Sequence, residues 1–244
     1  MNQESPQSAP GWLSRGKRFI IARFDPRSHL GLGLTTSLII SALAIWVLSG
    51  LLDAVLDNAF LVRLDSRAAE WFHLHATPTG LRIFDVITQL GSPVVDVLIV
   101  IVAIVLWRRK ETLLLWTWLA ANLGGKVVEY VLKTSVHRTR PTFGNLYLLF
   151  RHSYSFPSGH AMGASICYLM LAYLIASREQ TKRSVAIAAF ASAVALILLV
   201  AYSRLYLGVH YPSDVLGGMA AGVAWLAVCG ATRRIIAGRR AMGA

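Results

Sequence analysis

Long apolar stretches without charge constrain this chain more than any other feature. Residues 30–52 and 184–203 carry no charged side chain, and a helix needs roughly 20 apolar residues to cross a hydrocarbon layer of ~30 Å. In lipid each backbone polar group must be satisfied within its own segment, which favours helices. Further apolar stretches lie at about 86–107, 112–132, 159–177 and 215–232. The pattern predicts an all-α fold, an integral membrane bundle of six transmembrane helices. With 244 residues, 55% hydrophobic and only 15% charged, the chain has room for six spans and short loops, but not for a large extramembrane domain.

The organisation expected is a basic cytoplasmic tail at 1–28, a six-span domain at 29–235 and a short cytoplasmic tail at 236–244. The first apolar stretch starts too late and runs too long for a signal-peptide core, so it is read as a retained helix. Gly91, Ser92 and Pro93 are expected to kink or restart the second span. Between spans one and two, Leu61, Leu64, Ala68, Trp71 and Phe72 recur at helical spacing, with Arg63, Asp65, Arg67 and Glu70 on the remaining positions. This predicts an interfacial amphipathic helix, or a helix packed over the loop ends. Gly217, Gly218, Ala221 and Gly222 in span six let helix backbones approach closely. Cys167 and Cys229 lie inside apolar runs and read as small packing residues.

The net charge of +12 gathers in clusters beside the apolar runs, which speaks for membrane orientation and against a nucleic-acid partner. Arg108, Arg109 and Lys110, then Arg178, Lys182 and Arg183, then Arg233, Arg234, Arg239 and Arg240 fall on the side of the basic N-terminal tail. The positive-inside rule therefore predicts cytoplasmic termini, and the expected location is a plasma (inner) membrane. The opposite loops hold Asp53, Asp57, Asp65, Glu70, Asp85 and Asp214. Against that trend, the loop after span three also holds Lys133, Arg138, Arg140 and Arg151, an exception that calls for a functional cause.

Three segments meet on that outer face: the run from Lys133 to Arg140-Pro141, the run Pro157-Ser158-Gly159-His160, and the run from Ser203-Arg204 through His210 to Asp214. Fixed cations beside two histidines suit a phosphoryl group, because guanidinium forks match its oxygens and lysine adds a point charge. Ser158, Gly159 and His160 open span four, where unpaired backbone N–H groups and the helix dipole form an anion cradle. His210 and Asp214 are four apart around Pro212, a residue suited to start a helix. The carboxylate can then hold one imidazole nitrogen and leave the other free to attack.

At these residues the chain resembles the type 2 phosphatidic acid phosphatase superfamily of membrane lipid phosphatases, whose signature K-x6-RP, PSGH and SR-x5-H-x3-D is present without a substitution. The resemblance implies that His210 is a nucleophile that becomes phosphohistidine and that Asp214 is its partner. It implies that His160 protonates the leaving oxygen and later activates water. It implies that Lys133, Arg140, Arg204, Ser158 and Gly159 hold the phosphate, with no metal and no cofactor required. The expected partners are a phosphorylated lipid substrate and membrane lipids. Undecaprenyl diphosphate, phosphatidylglycerophosphate and phosphatidic acid are the candidate substrates.

Lys126 and Glu129 share a helical stripe with Lys133; an ion pair between Lys126 and Glu129 is expected, with a Glu129–Lys133 pair as the alternative that would aim the lysine. Arg138, Arg151 and His152 read as headgroup-level anchors, or as contacts to a second phosphate. His73, His75 and His137 read as anchors or satisfied polar residues. A lipid phosphotransferase would use the same chemistry. A transporter is disfavoured because the charges gather at one face rather than at the midplane.

Overall fold

The computed structural model describes residues 31–57, 59–142, 153–178 and 180–242, and among them every regular element is helical. The order is α1 (Leu32–Asp57), α2 (Ala59–His75), α3 (Pro78–Thr88), a 3-10 turn (Gln89–Gly91), α4 (Pro93–Arg108), α5 (Thr112–Val136), α6 (Gly159–Ala176), α7 (Arg183–Tyr206) and α8 (Pro212–Met242). Among the described residues, five segments are long and apolar enough to cross a membrane: Leu32–Asp57, Pro78–Arg108, Gly159–Ala176, Arg183–Tyr206 and Pro212–Ala241. The third stretch of the sequence forms α5, also 25 residues long, but Asn122, Lys126, Glu129 and Lys133 make it more polar.

The bundle is organised around α6, which packs against α5, α7 and α8, while α8 also lies along α1. Helix α6 buries Ala161, Met162, Ala164, Ile166, Cys167 and Met170; a helix apolar on all sides belongs in the interior. Outward-facing residues such as Leu43, Trp46, Val86 and Trp107 are exposed and apolar, the pattern of a surface facing lipid. Two buried polar tips fix the inner helices. Trp118 donates its indole N–H to the Ile99 carbonyl at 2.9 Å, and the Tyr168 hydroxyl donates to Leu90 of the 3-10 turn at 2.6 Å. Cys167 and Cys229 are free and buried, in keeping with a packing role.

The glycines of α8 act as expected. A Cβ on Gly218 would collide with the Ser158 carbonyl, and one on Gly222 would lie 2.9 Å from the Met162 carbonyl, so α8 and α6 touch backbone to backbone.

Several boundaries differ from the sequence reading. The second stretch begins earlier, at Pro78, where the Thr77 side chain accepts the Gly80 N–H at 3.1 Å and proline occupies the first turn. Arg82 and Asp85 face outward there and do not interrupt the helix. The break expected at Gly91 to Pro93 is present as the 3-10 turn. Helix α5 extends past residue 132 and ends where His137 takes a left-handed φ of 53° and donates its N–H to the Lys133 carbonyl at 3.1 Å. Lys133 therefore stands on the last helical turn rather than in the loop. Helix α8 continues through Arg239 and Arg240.

Helix α2 forms, and its inward face carries part of the predicted stripe, with Leu61, Ala68 and Phe72 half-buried. Asp65 and Ala69 are each 2% exposed, whereas Leu64 and Trp71 are 43% and 53% exposed. A buried ion pair at Asp65, described below, lies on that inward face.

The two ends of the bundle differ in character. At one end Arg234 of α8 lies against Gly33 of α1, and Arg178 pairs with Glu111 at 2.7 Å, so the basic clusters assemble together. At the other end Thr77 N–H donates to the Tyr206 hydroxyl at 3.1 Å, and the signature residues converge.

Candidate active site

His210 sits between the end of α7 and the start of α8, 2% exposed. Pro212 opens α8, and the carboxylate of Asp214 reaches back to the Tyr211 N–H at 2.8 Å, the reciprocal half of a helix capping box. This local bond turns Asp214 toward the preceding loop. Its Oδ2 lies 3.5 Å from His210 Nδ1. Ser155 bridges the same two residues: its hydroxyl donates to Asp214 Oδ2 and lies 3.4 Å from His210 Nδ1.

The other ring nitrogen is defined by its neighbour. Arg140 Nη1 is 3.1 Å from His210 Nε2, and a guanidinium only donates, so Nε2 is the bare, accepting nitrogen and Nδ1 carries the proton. Arg140 is held in turn by the Val209 carbonyl at 2.8 Å and by Ser153 at 3.1 Å. Burial lowers the Arg140 pKa, opposed by Asp214 and Glu129. Burial likewise lowers the His210 pKa to about 3; the hydrogen bond to Asp214 opposes the shift and the Arg140 charge adds to it. A neutral imidazole with an unprotonated Nε2 results, the state a nucleophile needs.

The other phosphate-binding candidates named from sequence stand at the end of α5 (Lys133), the start of α6 (Ser158 and Gly159) and the end of α7 (Arg204). Arg204, on the last turn of α7, donates Nη1 to Thr88 at 2.7 Å, and its Nε is buried without a partner among the described residues. The hydroxyl of Ser158, at the N-terminus of α6, is also buried and unpartnered among them. A buried donor left unmade costs ~1–3 kcal/mol, so both atoms mark a place where a polar group belongs. The Ser158 N–H is fixed by the Asp214 carbonyl at 2.9 Å, which ties the anion cradle to the start of α8. His160 packs against Gly91, whose missing Cβ would approach it to 3.1 Å. Its electrostatic neighbours are Arg204, His210, Lys133 and Arg140. All eight residues named from the signature thus belong to one end of the bundle.

Glu129 and Lys126 take a different arrangement from the one first expected. Lys126 pairs with Asp96 of α4 at 2.6 Å, and Glu129 pairs with Lys133 at 2.7 Å, so no Lys126–Glu129 pair forms. The Glu129 carboxylate occupies the space where a Gly159 Cβ would stand. Glycine is needed there to admit this carboxylate, in addition to any oxyanion.

Sequence reasoning missed four side chains of the site. Arg138 is no headgroup anchor. It donates Nη1 to Asp214 at 2.7 Å and Nη2 to Asp65 at 2.7 Å and stacks over the Tyr211 ring at 4.3 Å. Burial opposes its charge, but Asp214 and Asp65 outweigh that effect and raise its pKa. Asp65, Ser155 and Thr88 carried no spacing signal; only the serine, two residues before Pro157, stands beside a motif. Arg151 and His152 lie outside the described residues.

A family model described as the PAP2 superfamily matches residues 110–234. Phosphatidylglycerophosphatase B of Bacillus subtilis (strain 168) is 37% identical over 145 residues, 56% of this chain and 67% of that protein. Lipid phosphate phosphatase delta of Arabidopsis thaliana is 36% identical over 81 residues, 31% of this chain and 19% of that protein. Among solved structures, the transmembrane PAP2 type phosphatidylglycerolphosphate phosphatase of Bacillus subtilis superposes with a TM-score of 0.68 at 29% identity, covering 78% of this chain and 93% of that one. LpxE of Aquifex aeolicus gives 0.50 at 26% identity, covering 70% and 94%. The signature residues, the helical bundle with its membrane-crossing segments and the matched family model agree: the chain is a multi-pass membrane protein and belongs to the PAP2 superfamily.

Proposed function

We propose that this chain is a membrane lipid phosphatase that hydrolyses a lipid phosphate monoester or diphosphate through a phosphohistidine at His210. The observation that carries the reading is the 3.1 Å approach of Arg140 to His210 Nε2, which sets a phosphate-binding guanidinium beside the attacking nitrogen. In the first step Nε2 attacks phosphorus, the bond to the leaving oxygen breaks, and protonated His160 supplies that oxygen's proton. In the second step His160 takes a proton from water, the hydroxide attacks phosphohistidine, and His210 departs as the neutral ring held by Asp214. Lys133, Arg140, Arg204, the Ser158 hydroxyl and the Gly159 N–H neutralise the equatorial oxygens.

No metal is needed in this scheme. The nearby carboxylates are committed, Asp214 to Arg138, Ser155 and the Tyr211 N–H, and Glu129 to Lys133, while cations surround the phosphate position. Phosphatidylglycerophosphate is the first substrate to test, given the name of the Bacillus relative, followed by undecaprenyl diphosphate and phosphatidic acid. Six spans are supported by α5, which joins the same two ends of the bundle as its neighbours. An interfacial position for α2 is supported by exposed Trp71 and Leu74. With the basic end in the cytoplasm, the site faces outward from the plasma (inner) membrane and both termini lie inside.

The test is phosphate release by the purified protein in detergent across these lipids, with and without excess EDTA. Release from at least one lipid, unchanged by EDTA, is expected. No release from any of them would overturn the reading, and loss in EDTA restored by magnesium would overturn the metal-free scheme.

A further inference from the structure

The cluster at the start of α8 contains a second buried carboxylate that the reaction steps above do not use. Asp65 comes from α2, outside the matched residues 110–234, yet it is 2% exposed. It accepts Arg138 Nη2 at 2.7 Å, the Ser213 N–H at 3.1 Å and the Ser213 hydroxyl. Arg138 Nη1 bonds both Ser213 Oγ and Asp214 Oδ1 at 2.7 Å.

One guanidinium is therefore divided between two carboxylates, with its plane set by the Tyr211 ring at 4.3 Å. Guanidinium and carboxylate prefer a two-pronged pairing when nothing prevents it. Asp65 prevents it by engaging Nη2, so Arg138 reaches Asp214 through Nη1 and Oδ1 alone. The other oxygen, Oδ2, is left to Ser155, the Tyr211 N–H and the His210 ring. Asp65 also holds the Ser213 N–H at the first turn of α8, the turn that carries Asp214.

We infer that Asp65 is a positioning residue for the reaction: through Arg138 and Ser213 it keeps Asp214 Oδ2 facing His210, so that α2 helps to set the nucleophile. This rests on the phosphatase reading. Replacing Asp65 by asparagine keeps the shape but weakens the hold on Nη2. Arg138 then turns both prongs to Asp214, Oδ2 is drawn from the ring, and the proton on His210 is no longer confined to Nδ1.

The experiment compares Asp65→Asn with the wild type and with Ser66→Ala, an exposed neighbour on the same helix whose hydroxyl donates to the Val62 carbonyl of α2. Steady-state hydrolysis should show kcat lowered about tenfold or more and KM within about twofold in Asp65→Asn, with Ser66→Ala unchanged. In ¹⁵N-histidine spectra, with His210 assigned by its loss in His210→Ala, the wild type should show one tautomer and Asp65→Asn a mixture. A wild-type kcat with an unaltered His210 signal overturns the inference, and so does a rise in KM alone. If Asp65→Asn does not fold, Asp65→Glu replaces it, with kcat lowered several-fold and the same spectral mixing expected. Wild-type behaviour of Asp65→Glu then overturns the inference. A wild type that releases no phosphate counts against the phosphatase reading alone, and the His210 spectrum, which needs no substrate, still decides the role of Asp65.

Discussion

Nδ1 of His210 faces Oδ2 of Asp214 across 3.5 Å, while Arg140 occupies the opposite edge of the same ring at 3.1 Å. In the proposed mechanism the carboxylate selects the tautomer, and the guanidinium lies beside Nε2, the nitrogen assigned to attack. Asp214→Asn should lower kcat by about 100-fold or more with little change in KM, because the amide holds the wrong tautomer as readily as the right one. Steady-state kinetics on the preferred lipid checks this. A kcat within a few-fold of wild type would remove Asp214 from the account.

The lowered pKa of His210, about 3, links this site to acid stability. An unfolded histidine titrates near ~6.5, so below that pH the unfolded chain binds a proton that the folded chain refuses. Stability from this residue is complete above that pH and falls as pH descends toward the folded value, by up to about 1.4 kcal/mol per pH unit. Thermal melting at pH 7.5 and pH 5 should show a larger acid loss for wild type than for His210→Gln. Equal losses would mean that the ring is not held neutral.

Gly218→Ala should be costly although it adds a single methyl, because the new Cβ meets the Ser158 carbonyl, a backbone atom that cannot rotate away. Overpacking of this kind costs ~1–3 kcal/mol, and it displaces the residue at the mouth of α6. Melting temperature and vanadate affinity should fall together. Wild-type values for both would show that α6 and α8 are farther apart than described.

The signature residues and the apolar segments were legible because motif spacing and hydropathy are local properties. Partners distant in sequence were not. Asp65 meets Arg138 across 73 positions and Thr88 meets Arg204 across 116, and no helical periodicity reports such pairs. Helical spacing puts Asp65 on the polar face of α2, since periodicity reflects apolar burial and not a buried ion pair. It also pairs Lys126 with Glu129, neighbours on one helix, whereas Lys126 reaches across to Asp96.

Sidedness is open to a direct labelling test. Thr142, exposed beside Pro141, lies at the site end, and Gln180, exposed between α6 and α7, lies at the basic end. Cysteine at Thr142 should react with an impermeant thiol reagent in intact cells, and cysteine at Gln180 only after the membrane is opened. The reverse pattern would invert the proposed orientation.

The central claim, that His210 carries the phosphoryl group, is tested most directly by trapping. Wild-type protein mixed with its lipid substrate in excess EDTA and quenched in alkali within milliseconds should yield a phosphopeptide containing His210, stable to base and labile to acid. With a nitrophenyl phosphate, whose leaving group needs no proton, His160→Ala should accumulate more of it, since the first step proceeds and water is no longer activated. A quench that gives full phosphate release with no phosphohistidine at any time point, or one that places the phosphate on another residue, would contradict the account.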